Sequence, residues 1–133
     1  MSEVNSKYAI VQYDAQNKWV YLKYLGFVPS AEYHLIIQEL LELSNSKKAT
    51  KMLTDLTQMG VVAPADQKWM AEYWVGHANA ELRFTAIVLP QAVLANMSLK
   101  SLNKLFDADT QDTSNSRNFA SESEASAWLK SVN

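Results

Sequence analysis

The clearest periodic pattern in the chain follows Pro29. Apolar residues recur there at intervals of three and four, which places them on one face of an α-helix. These residues are Tyr33, Ile36, Ile37, Leu40 and Leu41. Ser30 is a favourable N-cap for this helix, and Ser44-Asn45-Ser46 is expected to end it. His34 lies off the apolar stripe, so its side chain is expected in solvent.

Short apolar runs on both sides of this helix predict strands. Residues 8–13 and 19–25 are rich in β-branched and aromatic side chains, and the polar turn between them predicts an antiparallel hairpin. Residues 49–55 predict a strand that is reached through the helix, so its pairing should be parallel and its connection right-handed. Residues 83–89 are almost continuously apolar, which is typical of a strand covered on both faces.

The rest of the chain predicts further helices. Pro64 suits the first position of a helix that is rich in aromatic residues. Residues 91–106 predict one helix or two short ones. Ser121 and Glu124 match a capping box at the start of a final helix, and residues 117–120 could add a short strand before it.

Together these elements predict a single α/β domain over residues 1–133, with a mixed sheet and about four helices. Residues 1–7 are expected to be flexible, and residues 107–118 are expected to form a polar, mobile loop.

Composition narrows the class of protein. The formal net charge is -2 and the lysines are scattered, so nucleic acid is not an expected partner. The absence of cysteine excludes disulfides, thiolate catalysis and the usual structural zinc sites. No apolar run approaches the roughly 20 residues that a transmembrane helix needs, and the first residues lack the apolar core of a signal peptide. A cytoplasmic location is the default expectation.

Two carboxylates flank the loop after the strand over residues 49–55. Asp55 ends that strand, and Asp66 lies in the first turn of the next helix. Ligands and partners of open α/β sheets dock beyond the carboxyl ends of the strands, so a site is expected here. The two residues could form a pair for acid–base chemistry or for a metal. The structural alternative is favoured, because Asp suits both a turn at a strand end and the start of a helix.

The aromatic helix also has two interpretations. Trp69, Tyr73, Trp74 and His77 could form a surface for a partner, or one side of them could belong to the core. Neighbouring residues on a helix point about 100° apart, so one face cannot bury all of them. A metal site at His77 is disfavoured, because the only other histidine lies far away in the sequence. No metal or cofactor is predicted.

From about Tyr8 onward the chain resembles the STAS-like domains, the fold of bacterial anti-sigma-factor antagonists. It is most similar to a group of uncharacterised bacterial proteins that are common in the Bacteroidetes. The resemblance is carried by LTDLTQMGVVAPADQKWM, by AIVLP with the Met-Ser-Leu helix after it, and by FASESEASAWL. It implies a mixed sheet that begins with an antiparallel hairpin and continues with parallel strands.

The resemblance also implies a phosphorylatable Ser at the start of the helix after the central strand. The matching positions are Ala63, Pro64, Ala65 and Asp66, and none of them has a hydroxyl group. The phosphorylation switch is therefore not carried over, although Asp66 would supply a permanent negative charge at this place. Related families bind lipids, but no residue here supports that transfer.

The leading hypothesis is a non-enzymatic regulatory module of the bacterial cytoplasm, which binds a protein through residues 56–65 and the following helix. The expected polar contacts are Asp55, Thr57, Gln58 and Asp66, and the expected apolar anchors are Trp69, Tyr73 and Trp74. An enzyme is disfavoured, because the chain has no phosphate-binding Gly-rich loop, nucleophile elbow or dinucleotide fingerprint. The alternative is a carrier that encloses a small molecule or lipid in an apolar pocket between sheet and helices. A homodimer, through the aromatic helix or an unpaired sheet edge, stays open.

Overall fold

A computed structural model of the protein describes residues 3–5, 7–60, 62–77, 82–92 and 116–132. Its elements in chain order are β1 (Glu3–Asn5), β2 (Ala9–Asp14), β3 (Trp19–Tyr24), α1 (Ser30–Lys47), β4 (Lys51–Asp55), α2 (Pro64–His77), β5 (Phe84–Val88), β6 (Ser116–Phe119) and α3 (Glu122–Ser131). The strands form one sheet in the order β1-β2-β3-β4-β5-β6. Strands β1 to β3 pair antiparallel, and β3 to β6 pair parallel.

This architecture confirms the predicted α/β class, the hairpin and the parallel pairing that follows it. The described residues contain three helices, whereas the sequence predicted about four. The helix predicted over residues 91–106 falls outside the described residues beyond Ala92.

Two short strands lie at the edges of the sheet. Glu3–Asn5, within the segment that the sequence predicted to be flexible, pairs with β2, with Glu3 opposite Gln12. Main-chain hydrogen bonds define such a short edge strand, and a polar sequence of this length carries no periodic signal. Strand β6 (Ser116–Phe119) confirms the short strand predicted over residues 117–120, and residues 107–115 of the predicted loop lie outside the described residues.

Both ends of α1 differ from the prediction. Pro29 is the N-cap, with an extended backbone, and Ser30 is the first helical residue. The helix continues through the serines to Lys47, because Ser44 is fully buried on the apolar face. Lys48 ends it in the left-handed conformation and donates its N–H to the Asn45 carbonyl. At α3 one of the two hydrogen bonds of the predicted capping box is present, since the Ser121 hydroxyl accepts from the Glu124 N–H at 3.2 Å.

Helices cover both faces of the sheet. Helices α1 and α2 lie on the face that carries Val20, Leu22 and Met52, because successive right-handed crossovers in one direction place their helices on one side. Helix α3 lies on the other face. Its core consists of Trp19, Leu53, Ala86, Val88, Ala125 and Leu129. In the described residues no helix is both long enough and apolar enough to cross a membrane.

Candidate functional site

The two loops at the carboxyl ends of β3 and β4 contact each other. The Gly60 N–H donates to the Gly26 carbonyl at 3.2 Å. A Cβ atom at Gly60 would lie 2.9 Å from the Phe27 Cα, so a side chain at this position would force the loops apart. Gly26 has a φ of 140°, which only glycine adopts easily. The two glycines therefore allow the loops to form one continuous edge.

Asp66 lies behind this edge, between α1 and α2. Its carboxylate accepts a hydrogen bond from the Ser30 hydroxyl at 2.5 Å and contacts the His34 Nε2 at 3.0 Å. The bond from Ser30, together with the hydrogen bond and charge of His34, lowers the pKa of Asp66. The residue is only 8% exposed, because its carboxylate faces α1. Asp66 thus joins the first turns of two helices.

The aromatic residues of α2 form a stacked column. His34 from α1 stacks on Trp69 at 3.8 Å between ring centroids, Trp69 on Tyr73 at 4.9 Å, and Tyr73 on His77 at 3.9 Å. Trp69, Tyr73 and Trp74 are half-buried and pack against the core between the sheet and α1. Trp69, Tyr73 and His77 are four residues apart along α2, so they lie one above the other on the same side of the helix. The sequence predicted the His34 side chain in solvent, but in the structure it extends from α1 and stacks on Trp69 at the end of the column.

Asp55 lies on the opposite face of the sheet. It is 3% exposed, and its Oδ1 accepts from the Thr57 N–H at 2.8 Å and from the Thr57 hydroxyl at 2.6 Å. The Lys23 Nζ lies 4.0 Å from its other oxygen. Asp55 therefore caps the turn after β4, and Thr57 and Gln58 are exposed on that turn.

A second carboxyl group, from Glu122 at the start of α3, contacts Asp55. The Tyr21 hydroxyl donates to the Glu122 Oε2 at 2.6 Å, across 101 positions in the sequence. Burial, and then the hydrogen bond to Asp55, raises the pKa of Glu122. Burial opposes ionisation of Asp55, but the hydrogen bonds from Glu122 and Thr57 leave its pKa lowered. Their contact therefore favours the neutral form of Glu122 and the charged form of Asp55, and we name the two residues the carboxyl pair.

The structure separates the two aspartates that the sequence suggested as a pair. Asp66 faces α1, whereas Asp55 faces α3 and Lys23, and among the described residues no side chain is hydrogen-bonded or ion-paired to both. Glu122 takes the expected place of Asp66 beside Asp55. Sequence reasoning missed Glu122, because no local pattern links the start of α3 to the end of β4. Within the described ranges, no three His, Asp or Glu side chains are arranged to hold a metal ion.

A groove of about 510 Å³ lies beside the carboxyl pair, on the part of this face that α3 leaves open. Ile10, Trp19 and Leu53 supply its apolar lining. The polar lining residues are Gln12, Asp14, Asn17, Tyr21, Glu122 and Ser126. Asp14 is held by Asn17 and Gln16, and their hydrogen bonds outweigh the effect of burial and lower its pKa. The groove therefore has a mixed lining, with polar and apolar surface in similar amounts.

No protein-family model matches the chain, and no curated protein matches it. The sheet order and the helices on its two faces define a STAS-like, or SpoIIAA-like, domain. A crystal structure from Shewanella loihica PV-4 has this fold, and it is an uncharacterised protein of the DUF3478 family with a SpoIIAA-like fold. It shares 18% sequence identity with this chain over 91% of each chain, with a TM-score of 0.60. At this identity the likeness shows the fold alone, and it confirms the STAS-like architecture that the sequence predicted.

Proposed function

We propose that the protein is a non-enzymatic interaction module of the bacterial cytoplasm, which binds a regulatory protein partner on the loop edge described above. We name this edge the rim surface and define it by Leu25, Phe27, Thr57, Gln58 and Pro64. The observation that carries the proposal is Phe27, a large apolar side chain that is 67% exposed. Exposed aromatic side chains next to polar groups commonly anchor protein interfaces.

The contacts behind the rim surface support a role in docking. Gly60 fixes the backbone of Phe27, Asp55 fixes the turn of Thr57, and Asp66 fixes Ser30 where the first loop ends. A surface whose loops are already held loses less conformational entropy when a partner binds. Asp55 and Asp66 would thus act by positioning the rim surface rather than by touching the partner.

The apolar anchor in this proposal differs from the one that the sequence suggested. Trp69, Tyr73 and Trp74 are half-buried and two of them belong to the stacked column, so they offer a partner less surface than Phe27. The aromatic residues of α2 would then stabilise the fold beside the rim surface and would not contact the partner directly.

Phe27→Ala tests the proposal, with Val75→Ala as a matched control. Val75 is 72% exposed, but it lies near the far end of α2. Tagged wild type and both variants are expressed in the native host, and the captured protein is identified by quantitative mass spectrometry and then titrated by calorimetry. We expect Phe27→Ala to weaken binding at least about fivefold, as truncation of an interface anchor commonly does, and Val75→Ala to leave it unchanged. Equal binding by all three proteins would refute the rim surface.

The second candidate function is a small-molecule carrier, and the groove beside α3 favours it. Its mixed lining suits a ligand with both polar and apolar groups better than the lipid or wholly apolar ligand that the sequence alternative assumed. Native mass spectrometry of the protein purified from its host distinguishes the two functions. A retained small molecule would favour the carrier, and a doubled mass would show a homodimer.

A further inference from the structure

Three elements meet at the carboxyl pair. Glu122 is the first residue of α3, Asp55 is the last residue of β4, and Tyr21 and Lys23 come from β3. Tyr21 donates to Glu122 at 2.6 Å, and Glu122 in turn contacts Asp55. The carboxyl group of Glu122 thus connects the first turn of α3 to two adjacent strands of the sheet.

We propose that the carboxyl pair is a proton-dependent latch for the start of α3. When the pair holds one proton, Glu122 donates to the Asp55 carboxylate and the first turn of α3 is fixed to β4. When the proton is lost, two carboxylates face each other and the first turn of α3 separates from the sheet. This inference does not depend on the proposed docking function.

The charges around Glu122 favour this behaviour. Lys23 of β3 and Asp55 of β4 face the pair, and the Lys23 ammonium balances one of the two negative charges. The Tyr21 hydroxyl is neutral, because burial and its bond to Glu122 raise its pKa, and its hydrogen bond stabilises the Glu122 carboxylate; burial and the contact with Asp55 outweigh that bond and leave the pKa of Glu122 raised. On the groove side Asp14 adds a further carboxylate, which Lys130 of α3 faces. Glu124 in the first turn of α3 is exposed. The second charge of the deprotonated pair is therefore poorly compensated.

Separation of the first turn of α3 from the sheet would affect the buried Ala125 and the groove. The first turn of α3 leads to Ala125, which is fully buried against the sheet in the same core as Leu53 and Trp19. Lys51 holds the other end of the helix, since its Nζ donates to the Leu129 carbonyl at 2.5 Å. Opening would thus occur at the start of α3 and would widen the groove, which Glu122 and Ser126 line.

Hydrogen exchange measured by NMR tests the latch. The reporter is the Ala125 N–H, which bonds to the Ser121 carbonyl at 3.1 Å. After correction for intrinsic exchange, we expect its protection to fall about tenfold or more as the pH rises from below 4.5 through the raised pKa of Glu122. The Thr57 N–H should keep its protection, because Asp55 is charged in both states. A loss at both amides would instead indicate unfolding of the edge of the sheet and would refute the latch.

Substitutions assign the effect to the pair. In Glu122→Gln the side-chain amide donates to Asp55 and its oxygen accepts from Tyr21 at every pH, so the Ala125 protection should no longer change with pH. Asp55→Asn, which can donate to the Glu122 carboxylate, should give the same result if Glu122→Gln fails to fold. Glu124→Gln is the matched control and should keep the wild-type dependence, because the Glu124 side chain is exposed in the same turn. The proposal would be overturned if protection of the Ala125 N–H did not change with pH in the wild type. It would also be overturned if Glu122→Gln kept the wild-type pH dependence.

Discussion

The two faces of the sheet each hold a nearly buried aspartate at the same edge, and they hold it differently. Asp66, on the face of α1 and α2, is surrounded by a hydroxyl group and an imidazole. Asp55, on the face of α3, adjoins a second carboxyl group. Groups that donate hydrogen bonds stabilise the charged form of a carboxylate, whereas a second carboxyl group in contact favours the neutral form of one of the two. The partner of each aspartate, more than its burial, therefore decides whether its contact weakens on acidification or as the pH rises.

The faces also differ in how their helices are secured. Helices α1 and α2 pack against each other and share the stacked column, so each stabilises the other. In the described residues α3 packs on β4, β5 and β6 and has no helix beside it. Its position therefore depends on its own buried residues and on the contacts of Glu122 and Lys51.

The largest predicted effect tests whether α3 carries a core of its own. Leu129→Ala should lower the free energy of unfolding by about 2–5 kcal/mol, because the side chain is fully buried and its removal leaves a cavity. Leu35→Ala on α1 is the control, since Leu35 is 52% exposed, and it should change stability by less than about 0.5 kcal/mol. Urea denaturation measures both. If the two variants were equally stable, α3 would not form a second core and the comparison of the faces would fail.

A smaller loss of stability is expected at the contact between the loops that follow β3 and β4. Gly60→Ala should destabilise the protein by about 1–3 kcal/mol, because the new Cβ would lie 2.9 Å from the Phe27 Cα. Gly76→Ala is the matched control, since a Cβ at Gly76 of α2 meets no atom within 4 Å. It should raise stability by up to about 1 kcal/mol through helix propensity. Thermal unfolding of both variants tests this, and a harmless Gly60→Ala would show that the two loops can separate.

The smallest predicted effect is on how the free energy of unfolding depends on pH, and it arises from the charges of Glu122 and Asp66. The pKa of Glu122 is raised above 4.5, so its contribution to stability is complete below that pH and is lost as the pH rises through the folded-state pKa. The pKa of Asp66 is lowered below 3.8, so its contribution is present above that pH and is lost on acidification. In urea titrations over a range of pH, Glu122→Gln should reduce the loss on the alkaline side, and Asp66→Asn should reduce the loss on the acid side. The same profile for both variants would contradict the difference between the faces.

Much of the fold follows from the sequence, because its signals are local. The turn in which Asp55 accepts from Thr57 spans two positions, and the cap between Ser121 and Glu124 spans three. The alternation of β3, with Val20, Leu22 and Tyr24 on one face, follows from the geometry of a strand. Backbone geometry fixes these relations before any distant segment is in place.

Only the tertiary structure decided which distant groups meet. Tyr21 and Glu122 are separated by 101 positions, and Ser30 and Asp66 by 36. No local rule reveals that α3 covers the face opposite α1 and α2, and this placement gives Asp55 its carboxyl partner and leaves Asp66 to Ser30 and His34. Periodicity shows that a helix has an apolar side, but many sheet surfaces would bury that side equally well. The packing of the whole chain decides which sheet surface each helix covers. It therefore also decides which side chains meet at the candidate site.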